Sequence, residues 1–410
     1  MNLISYIILF TIFFDFAINT IADFFNLKIM SDKIPEEFKD YYNKKRYKTS
    51  QQYLFVNTRF EWLVSFFYIA VFLIFWFIKG FPFIDKLIRS LNAGTVLTGL
   101  IFIGSLILFK SILSLPFSIY STFIIEERFG FNKTTWSIYI KDMIKMAVLS
   151  IIIGTPLLSG ILIFFEYSRN NAWLWCWMAV TVYMLIIQFF APSFIMPLFN
   201  KFKPLEEGKL KNAILSYAFS VNFPLKNVFI MDGSKRSRKS NAFFTGFGKN
   251  KRIVLYDTLI EQHSVSELIS VLAHEIGHYK KKHILQNMIL GVIQTGLLFY
   301  LLSFFMSSQT LFNAFFMEET SIYAGLVFFT LLYSPVSFFT GILMNMKSRK
   351  NEFEADRFAV ETTNNSRAFK KALIKLSVNN LSNLTPHPLY VFLNYSHPPI
   401  LKRIKQITRA

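Results

Sequence analysis

Long apolar stretches alternate with polar ones along most of this chain. Seven of them reach about 17–25 residues, enough for a helix to cross a bilayer. They cover residues 3–25, 61–79, 95–120, 143–165, 172–197, 284–306 and 321–345. The first has no basic segment ahead of it and is interrupted by Asp15, so it predicts a retained span and not a cleaved signal. The third carries Lys110 and Pro116; a lysine at that depth should face a protein interior or water.

Two polar stretches are long enough to fold, 198–283 and 346–410. The first holds two strand-like runs, Asn227–Met231 and Arg252–Tyr256, separated by a segment with Asn241, Ala242, Phe243, Phe244 and Gly246. From about Ser264 the pattern becomes helical. The expected fold is mainly α: a polytopic seven-transmembrane-helix membrane protein with a small β element in a cytoplasmic domain. Its expected parts are helices one to five (1–197), a cytoplasmic segment (198–283), helices six and seven (284–345) and a C-terminal cytoplasmic segment (346–410).

Composition agrees. Hydrophobic residues make up 53% and charged ones 17%, below the roughly 25% of a soluble domain. The net charge of +19 would suggest nucleic acid in a soluble protein. Here the basic residues lie between apolar spans, which points to topogenesis and anionic headgroups and away from nucleic acid. With seven spans, the loops 26–60 and 121–142, the segment 198–283 and the C-terminal segment share one side. That side holds Lys44, Lys45, Arg46, the Lys235–Lys239 cluster and Lys280–Lys282, so it should be cytoplasmic. The opposite segment 307–320 has Glu318 and Glu319 and no Lys or Arg. The single cysteine, Cys176, excludes an internal disulfide and a cysteine metal cage.

Residues 274–278 read HEIGH. On a helix His274 and His278 lie one turn apart on one face and can reach one ion. Glu275 can take a proton from a water that the ion has acidified. Gly277 costs about 1 kcal/mol in a helix; a small residue there would let a strand or substrate approach. A catalytic zinc wants a third protein ligand. After the last span the chain reads NEFEAD, with Glu352 and Asp356 four apart. Glu352 could complete a two-His, one-Glu site, and Asp356 could fix a ligand histidine through a hydrogen bond. The bland alternative is a solvated acidic face, where Glu354 is expected to point.

HEIGH followed about 75 residues later by E-F-x-A-D resembles the M48 family of zinc metallopeptidases, and within it the Ste24 type, the CAAX prenyl protease 1 group. The resemblance extends to FIIEERFGFNKTT (Phe123–Thr135), SNAFFTGFG (Ser240–Gly248), TPHPLY (Thr385–Tyr390) and YSHPPILKRI (Tyr395–Ile404). It implies one zinc ion per chain held by His274, His278 and Glu352, with Glu275 as general base and Asp356 as the conserved acid. It implies that Asn241, Ala242 and Phe243 belong to an edge strand that pairs with the substrate backbone. His397 and Arg403 would close over the site and assist the oxyanion or a substrate terminus. A watery intramembrane chamber would account for Asp15, Asp23 and Lys110.

The other histidines carry less. His283 is expected to be interfacial with no role, His263 structural, and His387 has no specific chemistry. The expected activity is removal of C-terminal residues from a peptide or protein, possibly C-terminally prenylated. The lipid bilayer is the other expected partner. A bacterial inner membrane is expected, or the endoplasmic reticulum in a eukaryote. Two rivals are a broad-specificity quality-control metalloprotease and, outside enzymes, a seven-helix transporter or receptor.

Overall fold

The computed structural model describes residues 1–168, 171–245 and 251–409. Five long helices come first: α1 (Leu3–Lys28), α2 (Lys44–Phe77), α3 (Thr95–Tyr120), α4 (Trp136–Tyr167) and α5 (Ala172–Phe190). Their starts are fixed locally. Asn2 and Ser5 form a capping box, and Asn43 and Thr135 accept from the backbone N–H groups of Arg46 and Ile138. Both α3 and α5 run on into a π-helical turn, Ser121–Glu126 and Ala191–Ile195.

A four-stranded sheet follows, of strands β1 (Phe202–Pro204), β2 (Leu225–Met231), β3 (Ala242–Thr245) and β4 (Lys251–Tyr256), with α6 (Lys209–Ser220) between β1 and β2. Its order is β1-β2-β4-β3. Only the β2–β4 pair is parallel. Among the described residues no strand covers the outer side of β3, so it is an open edge. Gly246, Phe247 and Gly248 of the expected edge segment lie outside the described residues.

Then come α7 (Val265–Lys280), α8 (His283–Phe305), α9 (Ile322–Leu332) and α10 (Ser334–Thr363). The last three helices are α11 (Ser366–Asn379), α12 (Pro388–Asn394) and α13 (Ile400–Arg409). Among the described residues six helices are long and apolar enough to cross a membrane, and the bent pair α9–α10 makes seven. The pair bends by 53°, where Pro335 sits in the first turn of α10 and cannot donate to the turn before it. A 30-residue helix rises ~45 Å. The expected seventh span stops at residue 345, but α10 continues well past it and carries Glu352 and Asp356 away from the apolar layer.

The loops sort as the charge pattern predicts. Phe38, Tyr42 and Tyr47 pack with Ile374, Val378, Leu384 and Ile404. Arg236 makes a two-pronged ion pair with Asp142, 2.7 and 3.0 Å, and Lys239 meets Glu126 at 3.0 Å. Thus 26–60, 121–142, 198–283 and the C-terminal segment meet on one side. On the other, Arg89 bridges Asp85 and Glu319. A core of Trp76, Phe81, Phe315 and Phe328 holds that end together.

Between these ends the spans enclose space. Phe10, Phe66, Ile107, Ile151 and Phe339 are exposed along these helices, apolar surface suited to a bilayer and not to water. A cavity of about 740 Å³ is lined by Asp15, Asn19, Asp23, Glu61 and Tyr390, and another of about 520 Å³ by Thr181, Gln188 and Thr340. The two meet at Ser337 of α10. Lys110 is exposed and lines neither of these two cavities.

Candidate metal centre

Helix α7 is built to hold a rigid site. Ser264 caps it and Glu267 caps back, a reciprocal box. Glu267 is buried and also takes a 2.7 Å hydrogen bond from Lys375 of α11. Burial opposes its charge, but the hydrogen bonds from Lys375 and the Ser264 backbone outweigh it and hold its carboxyl below the ordinary value. The apolar stripe Leu268, Val271, Leu272 and Ile276 is buried as its spacing predicts. It packs in one core with Phe369 and Leu373 of α11.

That packing brings α7 against α10. A Cβ placed on Gly277 would lie 3.1 Å from the Ala355 Cα and 3.2 Å from its carbonyl oxygen. The glycine therefore lets two helices touch; it does not open the site to a strand or substrate, as the sequence suggested.

Across this contact the three expected ligands converge. His274 Nε2 and His278 Nε2 are 3.2 Å apart. Glu352 Oε1 is 3.2 Å from His278 Nε2, and its Oε2 is 3.5 Å from His274 Nε2. A tetrahedron with a centre-to-vertex distance of ~2.0 Å, the usual zinc–nitrogen separation, has edges of ~3.3 Å. Glu352 Oε2 is buried and accepts no hydrogen bond. A buried carboxylate with an oxygen free of hydrogen bonds, beside two imidazoles, fits a divalent cation.

The second layer is equally defined. His274 Nδ1 is 2.9 Å from Asp356 Oδ1. A carboxylate only accepts, so Nδ1 carries a proton and Nε2 is the nitrogen left to ligate a cation, which would displace any proton there. Burial resists a positive charge on His274, but Asp356 and Glu352 overcome it and push its pKa up to about 9. The same negative field would attract a metal cation. Asp356 is gripped in turn by Arg403, whose Nε and Nη2 reach its two oxygens at 2.8 and 2.6 Å. Arg403 Nη1 lies 3.3 Å from Glu352 Oε2. The guanidinium is buried behind the ligands.

Glu275 is half-buried and has no hydrogen-bond or ion-pair partner among the described residues. Burial raises its carboxyl above the ordinary range, with His274 and His278 pulling the other way. A base that is unclaimed and shifted upward suits proton transfer near neutrality. His397 is exposed at the rim, with Nε2 3.3 Å from Glu352 Oε1 and Nδ1 3.0 Å from the Ser396 hydroxyl. Strand β3 lies against α7. Asn241 precedes it and is exposed, its side-chain oxygen accepting from the Ala242 N–H at 2.9 Å. Ala242 and Phe243 pair with Leu255 and Val254.

Two residues read as bland in the sequence are not so here. His283 is buried and meets His278 and Glu354, so it is no interfacial bystander. Glu354 is partly exposed but accepts from His283. His387 stacks on Phe25 of α1 and caps α12 by accepting from the Leu389 N–H. His263, as expected, is a buried structural residue whose Nδ1 meets the Leu259 carbonyl.

Fold and site together define a polytopic membrane metallopeptidase of the HExxH kind. Residues 23–201 match the family model of the CAAX prenyl protease N-terminal region, described as five membrane helices, and residues 204–410 match peptidase family M48. The chain belongs to that family, in its CAAX prenyl protease 1, or Ste24, branch: it is a membrane zinc metalloprotease of that type. It is 40% identical to the CAAX prenyl protease 1 homolog of Oryza sativa subsp. japonica over 78% of this chain and 76% of that one. It is 36% identical to CAAX prenyl protease 1 of Saccharomyces cerevisiae over 92% and 89%. The crystal structure of S. mikatae Ste24p superposes with a TM-score of 0.94 at 33% identity, covering 99% of both chains.

Proposed function

We propose that this protein removes C-terminal residues from prenylated CAAX-type substrates, using one zinc ion held by His274, His278 and Glu352. The observation that supports the reading is the convergence of the two histidine Nε2 atoms and the two Glu352 oxygens at 3.2–3.5 Å, with the unclaimed carboxylate of Glu275 beside it. A bound zinc ion supplies Lewis acidity, lowering the proton affinity of a water and polarising a carbonyl. Glu275 takes the proton from the attacking water and later delivers it to the leaving amine nitrogen. Asp356 keeps His274 in the ligating tautomer, and Arg403 keeps Asp356 in place. That assigns Arg403 to positioning, where the sequence suggested help to the oxyanion or a substrate terminus. His397, exposed at the rim with Nε2 3.3 Å from Glu352, donates to the developing oxyanion. The open edge of β3, with Asn241, Ala242 and Phe243, pairs with the substrate backbone.

The basic loops support an active site on the cytoplasmic side. The membrane is the bacterial inner membrane, or the endoplasmic reticulum in a eukaryote. Labelling of a cysteine placed in the exposed 396–397 turn of intact cells by an impermeant reagent would refute that orientation.

The test is product mapping by mass spectrometry on farnesylated and unfarnesylated CAAX peptides, with Glu275→Gln as blank. Release of the terminal tripeptide from the farnesylated peptide alone is expected. Equal cleavage of both peptides, or cuts elsewhere, would replace this reading with a broad-specificity membrane peptidase. The Glu275→Gln variant should keep one zinc per chain by elemental analysis while losing turnover.

A further inference from the structure

We infer that His283 and Glu354 form a hydrogen-bonded relay that sets the tautomer of His278 and aims its Nε2 lone pair into the metal site. The inference rests on the metal-site reading above. It starts from a break between two helices. Helix α7 ends at Lys280, and Lys282 adopts a left-handed backbone, φ 59°. A non-glycine residue there costs ~1–2 kcal/mol. The turn folds the first residue of α8 back beneath the last turn of α7. Without it, a histidine five positions after His278 would point well away from the ligand face of a continuous helix.

The hydrogen-bond directions then follow one from another. Glu354 Oε2 is 3.1 Å from His283 Nε2. The carboxylate can only accept, so His283 Nε2 donates. A neutral His283 has its lone pair on Nδ1. That Nδ1 lies 3.1 Å from His278 Nδ1, so the proton in this contact belongs to His278. The remaining nitrogen of His278, Nε2, is left bare, 3.2 Å from both His274 Nε2 and Glu352 Oε1. A doubly protonated His283 would donate from both nitrogens and turn an N–H of His278 into the cluster, where no cation could be held. Only the neutral ring leaves Nε2 of His278 free to hold a cation beside Glu352 Oε1.

The two ligand histidines are therefore oriented by different devices. His274 donates directly to a buried carboxylate, Asp356. His278 donates to a second imidazole, which donates to a partly exposed carboxylate. His283 is the first residue of a membrane helix and Glu354 lies on α10, so the relay fastens α7, α8 and α10 at one ligand.

The experiment measures zinc affinity by competition with a chromophoric chelator, and the visible absorption of the cobalt-substituted protein. His283→Leu is expected to weaken zinc binding 10–100-fold and to change the cobalt bands. His283→Gln should recover most of the loss, because its amide oxygen accepts from His278 and its NH₂ donates to Glu354. Glu354→Ala should weaken binding less, and should add nothing to His283→Leu in a double-mutant cycle. Wild-type affinity and cobalt bands in His283→Leu would overturn the relay, as would a glutamine variant no better than leucine. Should His283→Leu fail to fold, Glu354→Ala, at a partly exposed position, decides alone: unchanged affinity overturns the relay. A wild-type protein that holds no zinc would overturn the site reading itself, a result distinct from variants that bind as well as wild type.

Discussion

Adding one methyl group at Gly277 sets two effects of opposite sign against each other. Alanine favours a helix over glycine by about 1 kcal/mol, so helix propensity alone predicts a more stable protein. The structure predicts the reverse. The new Cβ would sit 3.1 Å from the Ala355 Cα, 3.2 Å from its carbonyl oxygen and 3.2 Å from the Phe358 ring. Carbon atoms rest at ~3.5–4.0 Å, so α7 and α10 must part by roughly 0.4 Å or more. The Ala355 atoms are main chain and cannot rotate aside. Overpacking of this kind costs about 1–3 kcal/mol, which cancels or exceeds the propensity gain. The metal site amplifies the effect, because His274 and His278 lie on one side of the contact and Glu352 and Asp356 on the other. Metal–ligand distances tolerate only ~0.2 Å. A loss of about 10–100-fold in zinc affinity is expected, comparable to removing an outer-shell partner. Chelator competition measures it, alongside thermal unfolding with and without zinc. Gly104→Ala on α3 is the control, since its Cβ meets nothing within 4 Å; it should leave zinc binding unchanged. Gly277→Ala with wild-type zinc affinity and a raised melting temperature would show that the helix contact has slack, and the argument would fall.

Two further outcomes follow from the second layer and the cap. Asp356→Ala should weaken zinc binding 10–100-fold. It should also destabilise the fold by about 3–5 kcal/mol, because Arg403 is left buried without its main partner; full zinc affinity in chelator competition would exclude Asp356 from orienting His274. Glu267 has its carboxyl held below the ordinary value, so its stabilising charge is present above the unfolded pKa of ~4.3 and is lost as pH falls through the folded value. Wild type should therefore out-melt Glu267→Gln at pH 7, and the gap should close below about pH 4. Parallel melting curves across that range would show that Lys375 and the cap do not stabilise the charged form.

The spans were readable because an apolar run of bilayer length has few other uses, and the seven runs reappear as six helices and one bent pair. The charge pattern sorted the loops for a related reason: segments assigned to one side touch there, as Arg236 touches Asp142. Helix ends were less legible. Hydropathy stops at the headgroups, but nothing in residues 346–363 stops a helix, so α10 runs on to Thr363. Within the site, His274, His278 and Glu352 were legible from ligand chemistry and spacing. His283 was not, because its partnership depends on the left-handed turn at Lys282, which no periodic pattern records. Gly277 was misjudged for the same kind of reason: what its missing side chain makes room for lies on another helix. Arg403 was found by resemblance alone, and only its partners reveal that it faces Asp356.

The distance along the chain between the halves of the metal site has a consequence for biosynthesis. His274 and His278 leave the ribosome on α7, and Glu352 follows only after α8 and α9 have been made. At 5–20 residues per second, the intervening ~75 residues take about 4–15 s. For that interval the nascent protein has two ligands, no third, and neither Asp356 nor Arg403 to orient them. A peptidase that works beside the membrane into which it is being inserted is thus inert until its own last span and the helix end beyond it have been made. Its activity is timed by the order of its own translation.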